Sequence, residues 1–328
     1  MDVPEYRKQV AADIEKASRE QTSLRDMLGR ARPAARAAAP TGAAEGLRAA
    51  AGEDDLAAAV AVLRDKDEDP GLRAQVLAMV GDTLGAEHAL IDAMLGVLGD
   101  DTEPPELRKA ALAALQRASF IAAVFAPKRP EFLATLRGVI DDEDAELRRR
   151  AIGVLAREKD EYVQRRLIEG LEHRAKALVP AAKAIQFLGY DIHAEHFSLL
   201  RQIIRHPPTR AAKKEAIRLL GADPSAKALL AEILADKGEK ADVRKVSAVA
   251  LQSLDPDRFE ALARRIALDE AEDDGLRATC ISALTHFGSP ATFGREGAFT
   301  RGIEAAHEKA GSRQMKRATA TYLSKYGG

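Results

Sequence analysis

A short phrase recurs along this chain of 328 residues: an acidic, Pro- or Gly-rich turn, then Leu or Val, then Arg or Lys, then an Ala-rich segment. Clear copies are DPGLRAQVL from residue 69, EPPELRKAAL from 103, DEDAELRRRAI from 142, KADVRKVSAVAL from 240 and DDGLRATCISAL from 273. Repetition at a period of a few tens of residues is typical of a solenoid built from stacked units. This phrase constrains the fold more than any other feature of the sequence.

We call the residue that follows Leu or Val at the head of each Ala-rich segment the anchor. Another amphipathic segment precedes each anchor; in residues 130–140 the apolar side chains recur at helical spacing, as in Leu133, Leu136 and Val139. The sequence therefore predicts about eight antiparallel helix pairs, each too small to bury its apolar face without its neighbours. The anchors are Arg73, Arg108, Arg148, a degenerate Ala181, Lys213, Arg244, Arg277 and Lys316.

The composition favours an all-α protein. Hydrophobic residues make up 46% of the chain, but only 4% of its residues are aromatic and it has no Trp. Ala has the highest helix propensity, and small side chains let helices approach closely. Strictly alternating runs of Val, Ile and Thr, which would predict strands, are absent from the sequence.

The first fifty residues differ from the repeats. Residues 1–28 predict one charged helix, and residues 29–51 form a connector rich in Ala, Pro and Gly. The repeats occupy residues 52–328. The helix could cap the first repeat or serve as a separate attachment point, and the sequence leaves both possibilities open.

Charge and cysteine content limit the partners and the compartment. The net charge is −1, so attraction to nucleic acid would need a local basic patch. A single cysteine, an N-terminus without an apolar signal segment and the lack of long apolar runs predict a cytoplasmic protein that does not span a membrane. The oligomeric state is left open.

The repeated phrase resembles the HEAT family, including its phycobilin-lyase-type repeats. The matching positions are Leu72-Arg73, Leu107-Arg108, Leu147-Arg148, Val243-Arg244 and Leu276-Arg277, with the upstream acids Asp69, Glu103, Asp144, Asp242 and Asp274. The resemblance implies a right-handed α-solenoid with first helices on the convex side and second helices on the concave side. It also implies that anchor bases bond to turn acids of the next repeat, and that the protein holds other macromolecules.

Catalytic and metal-binding patterns are weak. His193 and His196 have the spacing of two metal ligands on a helix, but the pattern supplies no third ligand, and surface histidines are favoured. His307-Glu308 is a single His-Glu dyad, whereas HEAT-type hydroxylases that bind iron need several. Cys280 lies in a core-facing segment, which favours an inert thiol. The sequence thus predicts no catalytic residue, no metal, no cofactor and no enzymatic activity.

Exposed bases on the second helices are the candidate binding residues. Positions one and about five after an anchor should face the concave surface. The residues on or near this basic strip are Lys109, Arg149, Arg150, Arg157, Lys183, Lys214, Arg218 and Lys245. Solvated helix faces bearing ion pairs are an equally favoured interpretation of the same residues.

We therefore predict a non-enzymatic scaffold or adaptor that binds an acidic or extended protein segment along its concave face. Two alternatives are kept. One is a nucleic-acid-binding solenoid, and the other is an accessory or lyase-like subunit of an enzyme complex, which only the fold supports.

Overall fold

The described chain consists of paired helices. The computed structural model describes residues 53–83, 88–120, 125–193, 195–288 and 297–327. They form sixteen α-helices in eight consecutive pairs and contain no strand, which confirms the predicted all-α fold of antiparallel helix pairs. The predicted N-terminal helix and connector lie outside the described residues.

The first helix of each pair carries an odd number here and the second an even number. The first helices are α1 (Glu53–Arg64), α3 (His88–Gly99), α5 (Arg129–Val139), α7 (Glu161–Glu172), α9 (His196–Arg205), α11 (Lys227–Ala235), α13 (Pro256–Leu268) and α15 (Gly297–Lys309). The second helices are α2 (Pro70–Thr83), α4 (Pro105–Ala118), α6 (Ala145–Arg157), α8 (Ala181–Leu188), α10 (Arg210–Leu220), α12 (Ala241–Leu254), α14 (Asp274–Phe287) and α16 (Arg313–Tyr326).

The chain divides into two compact units, Met1–Glu158 and Lys159–Gly328. Three of the described pairs belong to the first unit and five to the second. Within each unit, first helices pack against first helices and second helices against second helices. In the first unit, α1 contacts α3 and α2 contacts α4. In the second unit, each second helix contacts the next, from α8 through α10, α12 and α14 to α16. Each unit therefore has a continuous layer of second helices.

The core lies between the two layers of helices in each unit. The residue before the anchor is fully buried in several second helices, as in Leu107, Leu147, Val243 and Leu276. Burying such a side chain contributes about 1.5–3 kcal/mol relative to leaving it exposed. The opposite face of most helices is polar, and none of the described helices is both long and apolar enough to cross a membrane.

The turn inside a pair follows a pattern that the repeated phrase only partly showed: Asp-x-x-Glu-x-x-x-Leu/Val-anchor. It occurs at Asp65–Arg73, Asp100–Arg108, Asp236–Arg244 and Asp269–Arg277. In each copy the Asp side chain accepts a hydrogen bond from the backbone N–H two residues later, at 2.8–3.0 Å. Such Asx turns reverse the chain without help from glycine.

The anchor arginine ties together three parts of the stack. The Arg244 guanidinium donates to the carbonyl of Leu234 at 2.9 Å, in the last turn of the first helix of its own pair. It also binds both carboxylate oxygens of Glu272, at 2.6 and 2.9 Å, in the turn of the next pair. Arg73 makes the same contacts with Leu63 and Glu103, and in both ion pairs the side chains are less than a tenth exposed.

The bonds from anchor to next turn that the resemblance implies are therefore confirmed at Arg73, Arg108 and Arg244, but two of the acids differ from those predicted. Arg108 binds Asp142 and not Asp144, because Asp144 caps α6 by accepting from the Leu147 N–H at 2.7 Å. Likewise Arg244 binds Glu272, while Asp274 contacts Arg277 of its own helix at 3.4 Å. The acid that receives the arginine thus lies five or six residues before the next anchor.

The pattern lapses on both sides of the step from the fourth to the fifth pair. Helix α8 begins only at Ala181, after Pro180, so the first helical turn and its anchor base are missing. The turn before α10, residues 206–209, has no acidic residue to receive such a base. The buried residues of α8, Ala184, Ile185 and Leu188, still lie three, four and seven positions after Ala181. The same spacing of buried residues follows the anchors Arg73, Arg108, Arg148, Lys213, Arg244 and Arg277, but not Lys316, where Ala320 is exposed and Leu323 is half-buried.

Substituting an anchor should be far more damaging than substituting an exposed turn base. Arg244→Ala leaves Glu272 buried without its partner, which costs roughly 3–5 kcal/mol in the free energy of unfolding. Lys237→Ala removes a base that is 62% exposed and pairs with Asp269, and it should change stability little. Urea unfolding of both variants checks this; equal losses would contradict the role given to the anchor.

Stability should fall in acid through the turn aspartates. Hydrogen bonds from Lys66, Lys214 and Lys245 lower the pKa of Asp100, Asp242 and Asp273, respectively. A carboxyl group with a lowered folded pKa stabilises the fold above its unfolded pKa of about 3.9, and this contribution is lost as the pH falls through the folded value.

The measurement is the urea midpoint as a function of pH, which should drop progressively below about pH 4. The double variant Lys214→Ala/Lys245→Ala removes two of the partners and should flatten this dependence. A midpoint that stays constant or rises in acid would contradict the assignment.

Candidate protein-binding groove on the second helices

The predicted strip residues of the first unit lie on the second helices. Lys109 donates to Glu106 at 2.6 Å and reaches Asp144 of the next second helix at 3.4 Å. Arg150 pairs with Glu146 on its own helix. In the described part of the chain, Arg149 and Arg157 are exposed and have no ion-pair partner.

The strip residues of the second unit are all engaged. Lys214 binds Asp242 at 2.9 Å and Lys245 binds Asp273 at 3.0 Å, each at the head of the next second helix. Arg218 pairs with Glu215. Lys183 donates to Gln186 at 3.2 Å and lies 4.9 Å from the centre of the Phe187 ring.

Lys109, Lys214 and Lys245 occupy the same position, one residue after an anchor, and make the same kind of ion pair. Each pairs with an acid at the start of the following second helix. A base at this position therefore helps to join one repeat to the next. Whether the strip binds a partner is not tested by this geometry, and the strip stays a prediction.

A groove between α14 and α16 offers a different surface in the second unit. Its floor consists of small residues, Gly275, Ala278 and Ala318, and hydroxyl groups stand on both sides. It continues toward the ends of both helices, past Ala320 and Ser324. The other lining residues are Lys245, Thr279, Ser282, Thr285, His286, Gln314, Arg317, Thr321 and Lys325.

The groove has the dimensions of an extended peptide. From Gly275 to His286 it follows α14 for about 16 Å at the helical rise of 1.5 Å per residue. An extended chain of about five residues has that length. Both helices are second helices in adjacent pairs, so their N-termini lie at the Gly275 and Gln314 end of the groove.

The lining residues of the groove include four bases or histidines and no acid. Lys245 is already bound to Asp273, and Lys325 donates to the Thr285 carbonyl at 2.6 Å. Arg317 is exposed and has no ion-pair partner among the described residues. A carbonyl does not neutralise Lys325, so the groove is positive, and its uncompensated charges are those of Arg317 near the start of α16 and Lys325 near its end.

Gly275 leaves room for the side chains that approach this end of the groove. A Cβ there would overlap the Lys245 ammonium group and would lie 3.1 Å from Oε1 of Gln314. Without a side chain at this position, Lys245 and Gln314 can converge above the first turn of α14.

The sequence did not predict this groove, although one signal for it was present. No acidic residue occurs from 312 to 328, whereas Arg313, Lys316, Arg317 and Lys325 do. The strip prediction stopped at the sixth pair because Ala278 and Ser282 carry no charge. The floor and walls of this groove consist of small and hydroxyl-bearing side chains, which the charge pattern of the sequence does not indicate.

The two histidines considered as metal ligands make other contacts. His196 is buried, and its Nδ1 accepts a hydrogen bond from the His193 backbone N–H at 3.2 Å. The His193 ring contacts Asp191 at 3.0 Å. Across the described residues, no group of three or more His, Cys, Asp or Glu side chains could hold a metal ion.

Cys280 and His307 are packed into the fold. Cys280 is fully buried, and this burial raises the pKa of its thiol to about 12. Nδ1 of His307 lies 2.7 Å from the hydroxyl oxygen of Thr319, which is itself buried. Neither residue faces the groove.

Two solved structures share the general fold. No protein-family model matches this sequence, and no curated protein does. Human deoxyhypusine hydroxylase in complex with glycerol is 17% identical, with a TM-score of 0.31, over 76% of this chain and 98% of that one. The complex of CpcE and CpcF of phycocyanin lyase from Nostoc sp. PCC7120 is 19% identical, with a TM-score of 0.35, over 81% and 92%.

These structures agree with the HEAT-like resemblance at a coarse level, that of an all-helical repeat fold. By name one is a hydroxylase and the other a lyase, and this finding contradicts the prediction that the chain is not an enzyme. The prediction was wrong because it rested on missing motifs, and a repeat fold of this kind also occurs in catalytic proteins. At these identities the likeness concerns the fold and assigns no reaction to this chain.

Cys280 should be unreactive in the folded protein. A thiol whose pKa is raised to about 12 has almost no thiolate at pH 8, and thiolate is the species that alkylates. Iodoacetamide should therefore label the native chain slowly and the urea-unfolded chain completely, as measured by mass spectrometry. Rapid, complete labelling of the native protein would contradict the buried placement.

Proposed function

We propose that this protein is a helical-repeat subunit of an enzyme complex that holds an extended, acidic segment of a partner protein in the groove between α14 and α16. The observation that carries the proposal is the lining of that groove: a floor of small residues, hydroxyl walls, positive charge and no acid. Extended segments bind to such surfaces through backbone hydrogen bonds, and charge selects among them.

The groove favours a polypeptide over a nucleic acid. Binding to single strands uses aromatic side chains on which bases stack, and no aromatic ring other than His286 lines the groove. Binding to a duplex needs many phosphate contacts at once, whereas the strip bases Lys214, Arg218 and Lys245 are already paired with acids inside the protein. A short extended segment with one or two carboxylates matches the size and the free charge.

The predicted strip can add to this binding in each unit. Arg149 and Arg157 are the strip residues that keep their charge unpaired in the described part of the first unit, so they are the ones we propose for partner contact there. Lys109, Arg150, Lys214, Arg218 and Lys245 would have to exchange an internal acid for one of the partner. We therefore expect their contribution to be smaller than that of the unpaired residues.

Placing a carboxylate in the groove tests the proposal. Ser282→Glu should repel an acidic segment and fill space on the wall, and we expect capture of the partner to fall roughly tenfold, which corresponds to about 1.4 kcal/mol. Ser198→Glu is the matched control, because Ser198 is exposed on a first helix, α9. Both full-length variants are used for affinity capture from native cells, followed by quantitative mass spectrometry.

Proteins retained by the wild type and by Ser198→Glu but lost with Ser282→Glu are the partners of the groove. The proposal requires that an enzyme be among them. Equal retention by the two variants would place the binding surface elsewhere, and recovery of nucleic acid in place of protein would favour the nucleic-acid alternative.

A further inference from the structure

We infer that Arg317 is the specificity-determining residue of the groove and that it selects a partner segment in which an Asp or Glu side chain adjoins small residues. This inference rests on the proposed function and adds to it the chemistry of the bound segment. The cations around the groove differ in whether another group of the protein binds them.

Among the described residues of the groove, Arg317 is the cation that is bound neither by an acid nor by a carbonyl. Lys245 is held by Asp273 at 3.0 Å, and this bond lowers the pKa of the Asp273 carboxyl group. Lys325 donates to the carbonyl of Thr285. Within the described residues no acid pairs with Arg317, so its planar guanidinium can bind both oxygens of one incoming carboxylate.

The surroundings of Arg317 can accept a negative group, because the two acids at the head of α14 are already paired, Asp273 with Lys245 and Asp274 with Arg277. Arg317 lies in the second turn of α16 and Gln314 in the first, and α14 also begins there, at Asp274. The free N–H groups at the start of a helix carry partial positive charge. Gln314 supplies an amide that can donate to the same carboxylate, since Gly275 leaves room beside it.

The rest of the groove recognises backbone and leaves little room for side chains. The hydroxyls of Thr279 and Thr321 donate to carbonyls of their own helices, at 2.8 and 2.9 Å, so their oxygens remain as acceptors for the N–H groups of a bound segment. Between them lie Ala278 and Ala318, over which small side chains fit. Such contacts do not depend on the side chains of the bound segment. Arg317 is therefore the residue that distinguishes one segment from another.

A carboxylate fits this site better than a phosphoryl group does. A phosphorylated side chain carries nearly two negative charges and is usually bound by a cluster of arginines. Among the described residues of the groove, Arg317 and Lys325 are the cations without an acidic partner, and they lie eight residues apart on α16. The Arg317 end therefore offers one guanidinium and no cluster of arginines. One guanidinium and one amide match the charge and the two oxygens of an Asp or Glu side chain.

The test uses the full chain and short fluorescein-labelled peptides of Gly, Ala and Ser that carry one Glu, one Gln or one phosphoserine at the same position. Fluorescence anisotropy at low ionic strength should show the Glu peptide binding roughly two- to fivefold more tightly than the Gln peptide, as expected for a solvent-accessible ion pair. Arg317→Gln should abolish this preference. Lys316→Gln, on the exposed neighbour outside the groove lining, should preserve it.

The outcomes separate this inference from the proposed function. If Ser282→Glu weakens all the peptides while Arg317→Gln leaves the preference for Glu intact, the groove binds but Arg317 does not select. If the wild type shows no preference for Glu, or prefers phosphoserine, the inference is overturned. If Ser282→Glu changes the binding of no peptide, the groove is not the binding site and the proposed function fails as well. Arg317 is exposed, so circular dichroism of Arg317→Gln should match the wild type.

Discussion

The buried junction between an anchor arginine, a helix-end carbonyl and a glutamate of the next turn is the interaction on which the stack depends. At Arg244 it joins the two helices of one pair through the Leu234 carbonyl and joins that pair to the next through Glu272. A buried charge without its partner is strongly destabilising, so neither residue can be lost alone without cost. The step from the fourth to the fifth pair is consistent with this coupling, because the anchor base of the fourth pair and the turn acid of the fifth pair are both missing there.

The stacking that this junction fixes also determines which bases keep an unpaired positive charge. A base one residue after an anchor, such as Lys214 or Lys245, meets an acid at the head of the next second helix and is neutralised there. The lysines are thus part of a second row of contacts beside the arginines. Free cationic charge remains where no acid faces the base, as at Arg149 in the first unit and Arg317 in the second.

The helix pairs could be predicted because each repeat places the same residue types in the same environment. The anchors and the apolar positions predicted the order of the helices, and α5 lies within one residue of the amphipathic segment predicted at residues 130–140. The partners of the strip bases could not be predicted, because they depend on acids about thirty residues away whose register varies, as with Asp142 and Asp144. The groove was missed for a related reason: its floor combines Ala278 and Ala318 from two pairs that are unremarkable separately.

The groove that we propose for binding therefore lies where the chain departs from the repeat. Where the turn pattern is complete, as at Asp269–Arg277, its polar groups satisfy one another and little remains for a partner. The turn before α16 is shorter and has no acid in residues 309–312, so it brings no carboxylate to that end of the groove. The hydroxyls of Thr279 and Thr321 and the guanidinium of Arg317 then face solvent beside small residues, which is the arrangement that an extended acidic segment can use.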